Sequence, residues 1–331
     1  MVSKLCKTNI NFSYNLHSFA TIYIMNEKIQ RLKQELAKQI IGQSEMIDAL
    51  LIALLSEGHI LLEGLPGLAK TTAVHALASA VHLQFQRIQF TPDLLPSDIL
   101  GAEIYDLKSG DFKIKKGPIF TNFLLADEIN RAPAKIQSAL LEVMQERQVT
   151  IGDTSFQVPA PFLVLATQNP IDQEGAYKLP QAQLDRFMFK IIIGYNSQEE
   201  ELEIASRATE GGFEKIDTIF TVEELEQMKE RVRAVHIDKE LKVYIIQLIF
   251  TTREKHKYIK FGASPRASID MMKAVKARAF LRGNDFVSPS DIVLCAKDIL
   301  RHRIVLSYDA LVDGVSADTI IQEILENTLV P

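Results

Sequence analysis

The sequence predicts an α/β domain built on a mostly parallel sheet, followed by a smaller all-α domain. Short apolar runs alternate with helical patterns from about Ile29 to Tyr195, and this alternation is typical of a parallel sheet covered by helices. After Tyr195 the apolar residues recur only at helical spacing. The length of 331 residues is sufficient for two domains.

The first domain contains the alternating segments that predict the sheet and its covering helices. Amphipathic patterns predict four helices, at Glu27–Lys38, Glu45–Ser56, Thr71–Val81 and Pro133–Arg147. Short apolar runs predict five strands, at Ile60–Glu63, Phe85–Phe90, Phe120–Ala126, Phe162–Thr167 and Phe187–Ile193. Two further segments, 102–114 and 149–158, predict β-hairpins that interrupt this rhythm.

The second domain is predicted from helix-start signals. Thr221 and Glu224 have the spacing of a capping box. Ser264 and Ser288 each precede a proline, which suits the first turn of a helix. We therefore predict an α/β domain over 25–195 and a helical domain over 196–331. Residues 1–24 precede the first helical pattern and are predicted to be either a mobile N-terminal tail or the product of an upstream start site, and the sequence does not decide between the two.

Composition excludes several classes of protein. The net charge is −5, so no overall positive field attracts nucleic acid or anionic lipid. Two cysteines, Cys6 and Cys295, cannot form a disulfide framework, and their scarcity favours a reducing, cytoplasmic location. No apolar run has the length of a membrane span. No His/Cys cluster has the spacing of a zinc site.

A phosphate-binding loop is predicted between Gly64 and Thr71. The octapeptide GLPGLAKT follows the apolar strand and opens a helix, which is the context that a P-loop requires. Backbone N–H groups of such a loop point at phosphates, Lys70 adds a positive charge, and the Thr71 hydroxyl can ligate Mg²⁺. Ala69 stands where the strict pattern has glycine, and we expect this small residue to fit in a helical conformation.

Acidic and amide side chains follow two other predicted strands. Asp127 and Glu128 end the run FLLADE, where Asp127 can hold Mg²⁺ through a water molecule and Glu128 can deprotonate an attacking water. Asn169 follows the next strand and can hydrogen-bond that water or the terminal phosphate. These residues predict hydrolysis of a nucleotide in addition to binding.

Four segments together resemble the MoxR branch of the AAA+ ATPases. They are GLPGLAKT at 64–71, LLADEINRAP at 124–133, ATQNP at 166–170 and LPQAQLDRF at 179–187. The resemblance extends from about Ile29 to the C-terminus. It implies the P-loop NTPase fold of the AAA+ type, with a five-stranded mostly parallel sheet and a smaller all-α lid domain.

The resemblance also implies roles for the residues at matching positions. Asp127 and Glu128 correspond to Walker B, with Thr71 and Asp127 as the magnesium ligands. Two segments correspond to the parts that bind ATP: the Walker A residues Gly64, Leu65, Pro66, Gly67, Leu68, Ala69, Lys70, Thr71 and Thr72, and the adenine-packing residues Ile41, Gly42 and Gln43. The hairpins match inserts that face the pore or the partner in this family.

Three polar residues complete the set of catalytic residues that the resemblance implies alongside Glu128. Asn169 matches sensor 1, and Arg266 matches sensor 2 on the lid. Arg186 matches the arginine finger, which reaches the nucleotide of a neighbouring subunit. Arg131 is a second candidate for that contact, and the sequence does not decide between the two.

The resemblance implies an ATPase that forms a ring, with a hexamer as the family expectation, and remodels or matures a protein partner. Such partners often carry von Willebrand factor A domains. Two alternatives stay open: a magnesium-chelatase-like subunit and a DNA-acting AAA+ motor. Binding of nucleic acid is not favoured, because the basic clusters at 253–260 and 273–282 lack interleaved aromatic residues.

Overall fold

The computed structural model describes residues 25, 27–65, 67–108, 110–169 and 177–331, and the predicted N-terminal tail over 1–24 lies outside these residues. The first part of the chain contains α1 (27–37), α2 (Ser44–Ser56), β1 (Ile60–Gly64), α3 (Lys70–Ala80), β2 (Phe85–Gln89), α4 (Pro96–Leu100), β3 (Gly101–Asp106), β4 (Asp111–Lys116), β5 (Phe123–Asp127), α5 (Ala134–Glu146), β6 (Gln148–Ile151), β7 (Thr154–Gln157), β8 (Leu163–Gln168), α6 (Gln181–Leu184) and β9 (Phe189–Ile193). A single 3-10 turn, Ile129–Arg131, follows β5.

The second part of the chain is mainly helical. It contains α7 (Gln198–Glu210), α8 (Val222–Ala234), α9 (Lys239–Thr251), β10 (Ile259–Phe261), α10 (Pro265–Leu281), α11 (Pro289–Leu300), β11 (Val305–Leu306), α12 (Tyr308–Val312) and α13 (Ala317–Asn327). The short antiparallel ladder of β10 and β11 was not predicted, because two or three residues carry no readable alternation.

A five-stranded sheet forms the centre of the first part, in the order β2-β5-β8-β1-β9. All neighbouring strands are parallel, with Glu63 opposite Gln168 and Gln89 opposite Asp127. The predicted five-stranded sheet and helical lid are confirmed. Because the strands are parallel, their carboxyl ends all lie at one edge, where ligands bind in open α/β sheets.

Helices cover both faces of the sheet. Leu124 and Leu125 are both fully buried, yet they belong to two different apolar clusters, since successive strand residues point to opposite faces. One cluster includes α5 through Leu140, and the other includes α3 through Leu77. The sheet is therefore enclosed on both sides, as its continuous apolar strands indicate.

The helical part packs onto the first part through α2. Buried residues of α8 to α11 and α13 join the same apolar cluster as α2 and α3. The capping box at Thr221 is present, with its Oγ1 accepting from Glu224 N at 3.3 Å. The domain boundary at 195/196 stays a prediction, because the apolar cluster is continuous across it.

Both predicted hairpins are present, as β3–β4 and β6–β7. The turn at Gly152-Asp153 uses Gly152 at φ +58°, a conformation that glycine adopts without strain. The strand predicted from Phe120 begins only at Phe123, because the side chains of Thr121 and Asn122 bond to neighbouring segments instead. Within the described residues, no helix has the length and apolar character needed to cross a membrane.

Candidate functional site

A cleft of about 360 Å³ lies at the carboxyl ends of the three central strands β5, β8 and β1. The loop after β1, the acidic tip of β5 and the end of β8 all open onto it. The predicted residues that line the cleft are Gly67, Leu68, Ala69, Lys70, Thr71, Thr72, Asp127, Glu128 and Asn169. Gly64 and Leu65 lie at the end of β1, and the predicted contact of Pro66 lies outside the described residues.

The loop before α3 uses two residues with positive φ. Gly67 has φ +85°, and Ala69, the N-cap of α3, has φ +53° and ψ +17°. The expectation that Ala69 is helical in the right-handed sense was wrong. The turn into α3 needs a left-handed residue at this position, which explains physically why the strict pattern has glycine there.

Lys70 begins α3 and reaches back over the loop. Its Nζ donates to Gly64 O at 2.7 Å. Partial burial lowers the pKa of Lys70, while the carboxylates of Asp127 and Glu128 act in the opposite direction. The ammonium group thus lies in a poorly hydrated position close to the acidic tip of β5, where a negatively charged ligand interacts strongly with it.

Asp127 is held by two neighbouring strands. Thr167 on β8 donates from Oγ1 to Asp127 Oδ1 at 2.6 Å. Arg87 on β2 donates to Oδ2 from Nε at 3.1 Å and from Nη2 at 2.6 Å. The carboxylate of Asp127 is therefore fixed in orientation, with Oδ2 bonded to the guanidinium of Arg87 at the edge of the cleft.

Glu128 leaves the strand with a left-handed backbone, at φ +54° and ψ +50°. Its N–H donates to Thr167 Oγ1 at 2.8 Å. Gln89 Nε2 at 2.9 Å and Arg131 Nη1 at 2.8 Å both donate to Glu128 Oε2. A strained backbone held by several bonds is common at functional sites, because the strain fixes a side chain in one direction.

A second cleft, of about 610 Å³, adjoins the first and shares Gly67, Leu68, Ala69 and Thr72 with it. Of the three predicted adenine-packing residues, Ile41 lines this cleft. The other lining residues are Gln39, Asn196, Glu201, Ile204, Ala205 and Phe213. Its apolar lining beside the phosphate loop is suited to an aromatic ring.

Gly42 and Gln43 follow Ile41 in the chain and are not among the residues that line the second cleft. Gly42 has φ +68°, and a Cβ there would lie 2.7 Å from the Glu200 carboxylate. Gln43 Nε2 donates to Asn196 Oδ1 at 2.8 Å, and Asn196 Nδ2 donates to Ile41 O at 3.0 Å. These bonds tie the segment around Ile41 to the start of the helical part.

Arg186 and Arg266 are outside the set of residues that line either cleft. Arg186 Nη1 donates to Leu141 O at 2.5 Å. Arg266 Nη1 lies 3.7 Å from Asp185 Oδ2, and its side chain is 39% exposed. Their predicted roles concern a neighbouring subunit and the closure of the lid, and neither is tested by this arrangement within one chain.

Sequence reasoning missed Arg87, Gln89 and Thr167 at the first cleft, and Asn196 and Phe213 at the second. The sequence did contain a signal for Arg87 and Gln89. They lie two residues apart in β2, and alternate residues of a strand point to the same face. The others depend on long-range packing. Asn196 and Phe213 flank α7, a helix that was not predicted.

Comparison with known proteins identifies the family. Residues 59–189 match the ATPase family associated with various cellular activities (AAA), and residues 252–324 match the AAA lid domain. Chaperone MoxR1 of Mycobacterium tuberculosis is 46% identical over 311 residues, covering 92% of this chain and 82% of that protein. The chain belongs to the MoxR-type AAA+ ATPases.

Two further relatives agree with membership of the MoxR-type AAA+ family. Uncharacterized protein YeaC of Bacillus subtilis is 43% identical, covering 90% of this chain and 93% of that protein. A crystal structure from Cytophaga hutchinsonii, described as that of a candidate ATPase, is 47% identical with a TM-score of 0.89. The match covers 96% of this chain and 99% of that one.

The donor set at the first cleft of this MoxR-type chain fits a magnesium ion. The hydroxyl of Thr71 and the carboxylate of Asp127 are hard oxygen donors that both line the cleft, and Mg²⁺ prefers such ligands beside phosphates. Among the described residues, no group of three or more His, Cys, Asp or Glu side chains could hold a metal by itself.

Proposed function

We propose that the chain binds ATP with Mg²⁺ and hydrolyses it, and that a ring of such chains uses the energy to remodel a protein partner. The single observation that carries the proposal is the convergence of Lys70, Asp127, Glu128 and Asn169 on one cleft. These residues lie at or just after the ends of three strands that are far apart in sequence, and they supply the groups that phosphoryl transfer needs.

Binding of the triphosphate is the first step. Backbone N–H groups at the start of α3 and the positive end of its dipole attract phosphate oxygens. Lys70 adds a full positive charge, and the second cleft accepts the adenine. When bound, Mg²⁺ neutralises charge that develops on the phosphates, with Thr71 and Asp127 as its protein ligands.

Hydrolysis then needs an activated water. Glu128 is the proposed general base, because its carboxylate is rigidly held at the end of β5. Asn169 lies at the end of the neighbouring strand and lines the same cleft, where its amide can orient the water or a phosphate oxygen. A fixed base and a fixed amide reduce the entropy cost of positioning the water.

The proposal also includes a ring oligomer and a protein partner. Arg186 serves as the trans-acting arginine, which requires an oligomer, and a hexamer is proposed. One relative is named a chaperone, which favours a protein client, and a von Willebrand factor A domain protein is proposed as that client. The β3–β4 hairpin supports contact with a partner, since Tyr105, Leu107 and Phe112 are 51%, 89% and 70% exposed.

The proposal further includes a cytoplasmic location and a division of the chain into two domains. Cys295 is a buried free cysteine in the described chain, as expected in a reducing compartment, so a cytoplasmic location is proposed. The α/β part over 25–195 and the lid over 196–331 are proposed as two domains around the nucleotide.

The proposal is tested by measuring ATP binding and turnover for two variants and a control. Lys70→Ala should abolish binding, because it removes the charge that faces the phosphates. Glu128→Gln should keep binding but lower turnover by about 10²-fold or more, since general-base catalysis contributes roughly that amount. Lys239→Ala, at an exposed position on α9, should behave like the wild type. Equal turnover for the wild type and Glu128→Gln would exclude Glu128 as the base.

A further inference from the structure

Asp185 occupies a junction between the sheet and the lid. It follows α6 and immediately precedes Arg186 in the chain. Its Oδ1 accepts from Arg303 Nε at 2.9 Å, and both of its oxygens accept from Ser264 Oγ, at 2.9 and 2.8 Å. Its side chain is only 19% exposed, so these contacts hold a largely buried charge.

Arg303 donates hydrogen bonds to backbone carbonyls on both sides of Arg186. Its side chain is completely buried, and its guanidinium donates to the carbonyls of Asp185, Phe187 and Met188 at 3.2, 2.9 and 3.3 Å. His302 bonds to Phe187 O as well, at 2.9 Å. The short segment that carries Arg186 is therefore fixed by residues of the lid, in addition to the bond from Arg186 itself to Leu141 O on α5.

Arg266 meets the same carboxylate with a weaker contact. Its Nη1 lies 3.7 Å from Asp185 Oδ2, which is longer than a hydrogen bond, and the side chain is 39% exposed. The Ser264 hydroxyl that donates to Asp185 also accepts from Arg266 N at 3.1 Å. Charge attraction, to Asp185 and also to Asp270, thus holds the guanidinium of Arg266, which leaves it able to move to another anion.

We infer that Asp185 is a positioning residue for two arginines that serve different nucleotides. It fixes the segment that presents Arg186 to the neighbouring subunit, and it competes with the triphosphate of its own subunit for Arg266. This inference rests on the proposed function and on the match of Arg266 to sensor 2, taken as a contact with the triphosphate of its own subunit. One carboxylate thereby connects closure of the lid in one subunit to the arginine that acts on the next.

Asp185→Asn separates this role from a purely structural one. Asparagine keeps the size and an acceptor oxygen but removes the charge. Release of Arg266 should tighten ATP binding by about two- to fivefold, the worth of a partly exposed ion pair. Loosening of the Arg186 segment should lower kcat by about tenfold or more, as misplacement of a catalytic group does. A variant that is merely less stable does not bind its ligand more tightly.

Asp270→Asn is the matched control. Asp270 also accepts from Arg303, so its loss unsettles the same buried guanidinium, and its charge also acts on Arg266, but the ion pair of Arg266 is with Asp185. ATP affinity should therefore rise clearly less in Asp270→Asn than in Asp185→Asn. In an Arg266→Ala background, Asp185→Asn should no longer tighten ATP binding, because no guanidinium remains to be released.

The experiment is a titration of ATP against the wild type, Asp185→Asn, Asp270→Asn, Arg266→Ala and the double variant, with kcat measured in parallel. Unchanged ATP affinity in Asp185→Asn, or equal tightening in the Arg266→Ala background, would overturn the inference while wild-type binding still supports the proposed function. No ATP binding by the wild type would overturn the proposed function itself. If Asp185→Asn does not fold, Ser264→Ala should weaken ATP binding, because Asp185 then attracts Arg266 more strongly; tightening would contradict the inference.

Discussion

Thr167 offers a sharp test of how the acidic tip of β5 is organised. It is 1% exposed, and its hydroxyl donates to Asp127 Oδ1 at 2.6 Å while accepting from Glu128 N at 2.8 Å. A single oxygen therefore orients the carboxylate of Asp127 and the backbone that carries Glu128. Thr167→Val preserves the shape of the side chain and removes that oxygen.

The expected cost follows from the two bonds. Loss of a hydrogen bond to a charged group costs about 1.5–3 kcal/mol, and a buried N–H left without a partner costs about 1–3 kcal/mol. We expect a total of about 3–5 kcal/mol. For 331 residues the entropy of unfolding is about 0.7 kcal/mol/K, so Tm should fall by about 4–7 °C.

The catalytic effect should be larger than the effect on binding. A shift of about 1 Å in a catalytic group costs on the order of 10²-fold in rate, and neither of the bonds contacts the triphosphate in this account. We expect kcat to fall by about 10²-fold with ATP affinity changed by less than about threefold.

Thr167→Ser is the matched control for these measurements, because it retains the hydroxyl and should recover most of the turnover. Steady-state kinetics and an ATP titration on the three proteins are sufficient. If Thr167→Val keeps wild-type kcat, the orientation of Asp127 and Glu128 by this hydroxyl is not important for turnover, and that reasoning is refuted.

Three other predictions follow from single positions. Because Ala69 is left-handed, Ala69→Gly should leave ATP binding intact and change stability by no more than about 1 kcal/mol, whereas Ala69→Val should weaken both; similar melting curves for the two variants would contradict this. Burial raises the pKa of Asp298 to about 6, above its unfolded value near 3.8, so the wild type should lose stability as pH rises from about 4 to 6. Asp298→Asn should remove that loss and stabilise the protein at pH 7 by about 1–2 kcal/mol but not at pH 4, and an equal gain at both pH values would exclude titration of Asp298 as the cause. Arg186→Ala should abolish turnover. Small amounts of Glu128→Gln protein should partly restore it in mixed rings, because those subunits still supply Arg186 to their neighbours. If turnover is not restored, Arg186 does not act in trans.

The fold was largely predictable because its signals are local. Five apolar strands alternating with amphipathic helices define a covered parallel sheet, and the serine and threonine caps mark the lid helices. The helix α7 was missed, since none of its residues is buried and it therefore lacks the apolar periodicity of the others. The order of the strands in the sheet also depends on contacts that single-sequence patterns do not reveal.

The site was predictable where function depends on consecutive residues. The loop from Gly67 to Thr72 and the pair Asp127-Glu128 are each contiguous, and parallel strands bring their ends together. Arg87, Thr167 and the Asp185–Arg303 pair were not predicted, because each acts through a partner that lies more than 30 residues away. The conformation of Ala69 was mistaken because a helix start was assumed to be right-handed throughout.

The central claim is that the Lys70 loop and the Asp127-Glu128 tip bind one metal–triphosphate unit. A crystal structure of Glu128→Gln with ATP and Mn²⁺, with the manganese located by anomalous scattering, tests it most directly. The account predicts a manganese peak within about 2.2 Å of Thr71 Oγ1, next to Asp127 and the outer phosphates. A nucleotide bound at another place, or a metal remote from Thr71 and Asp127, would contradict it.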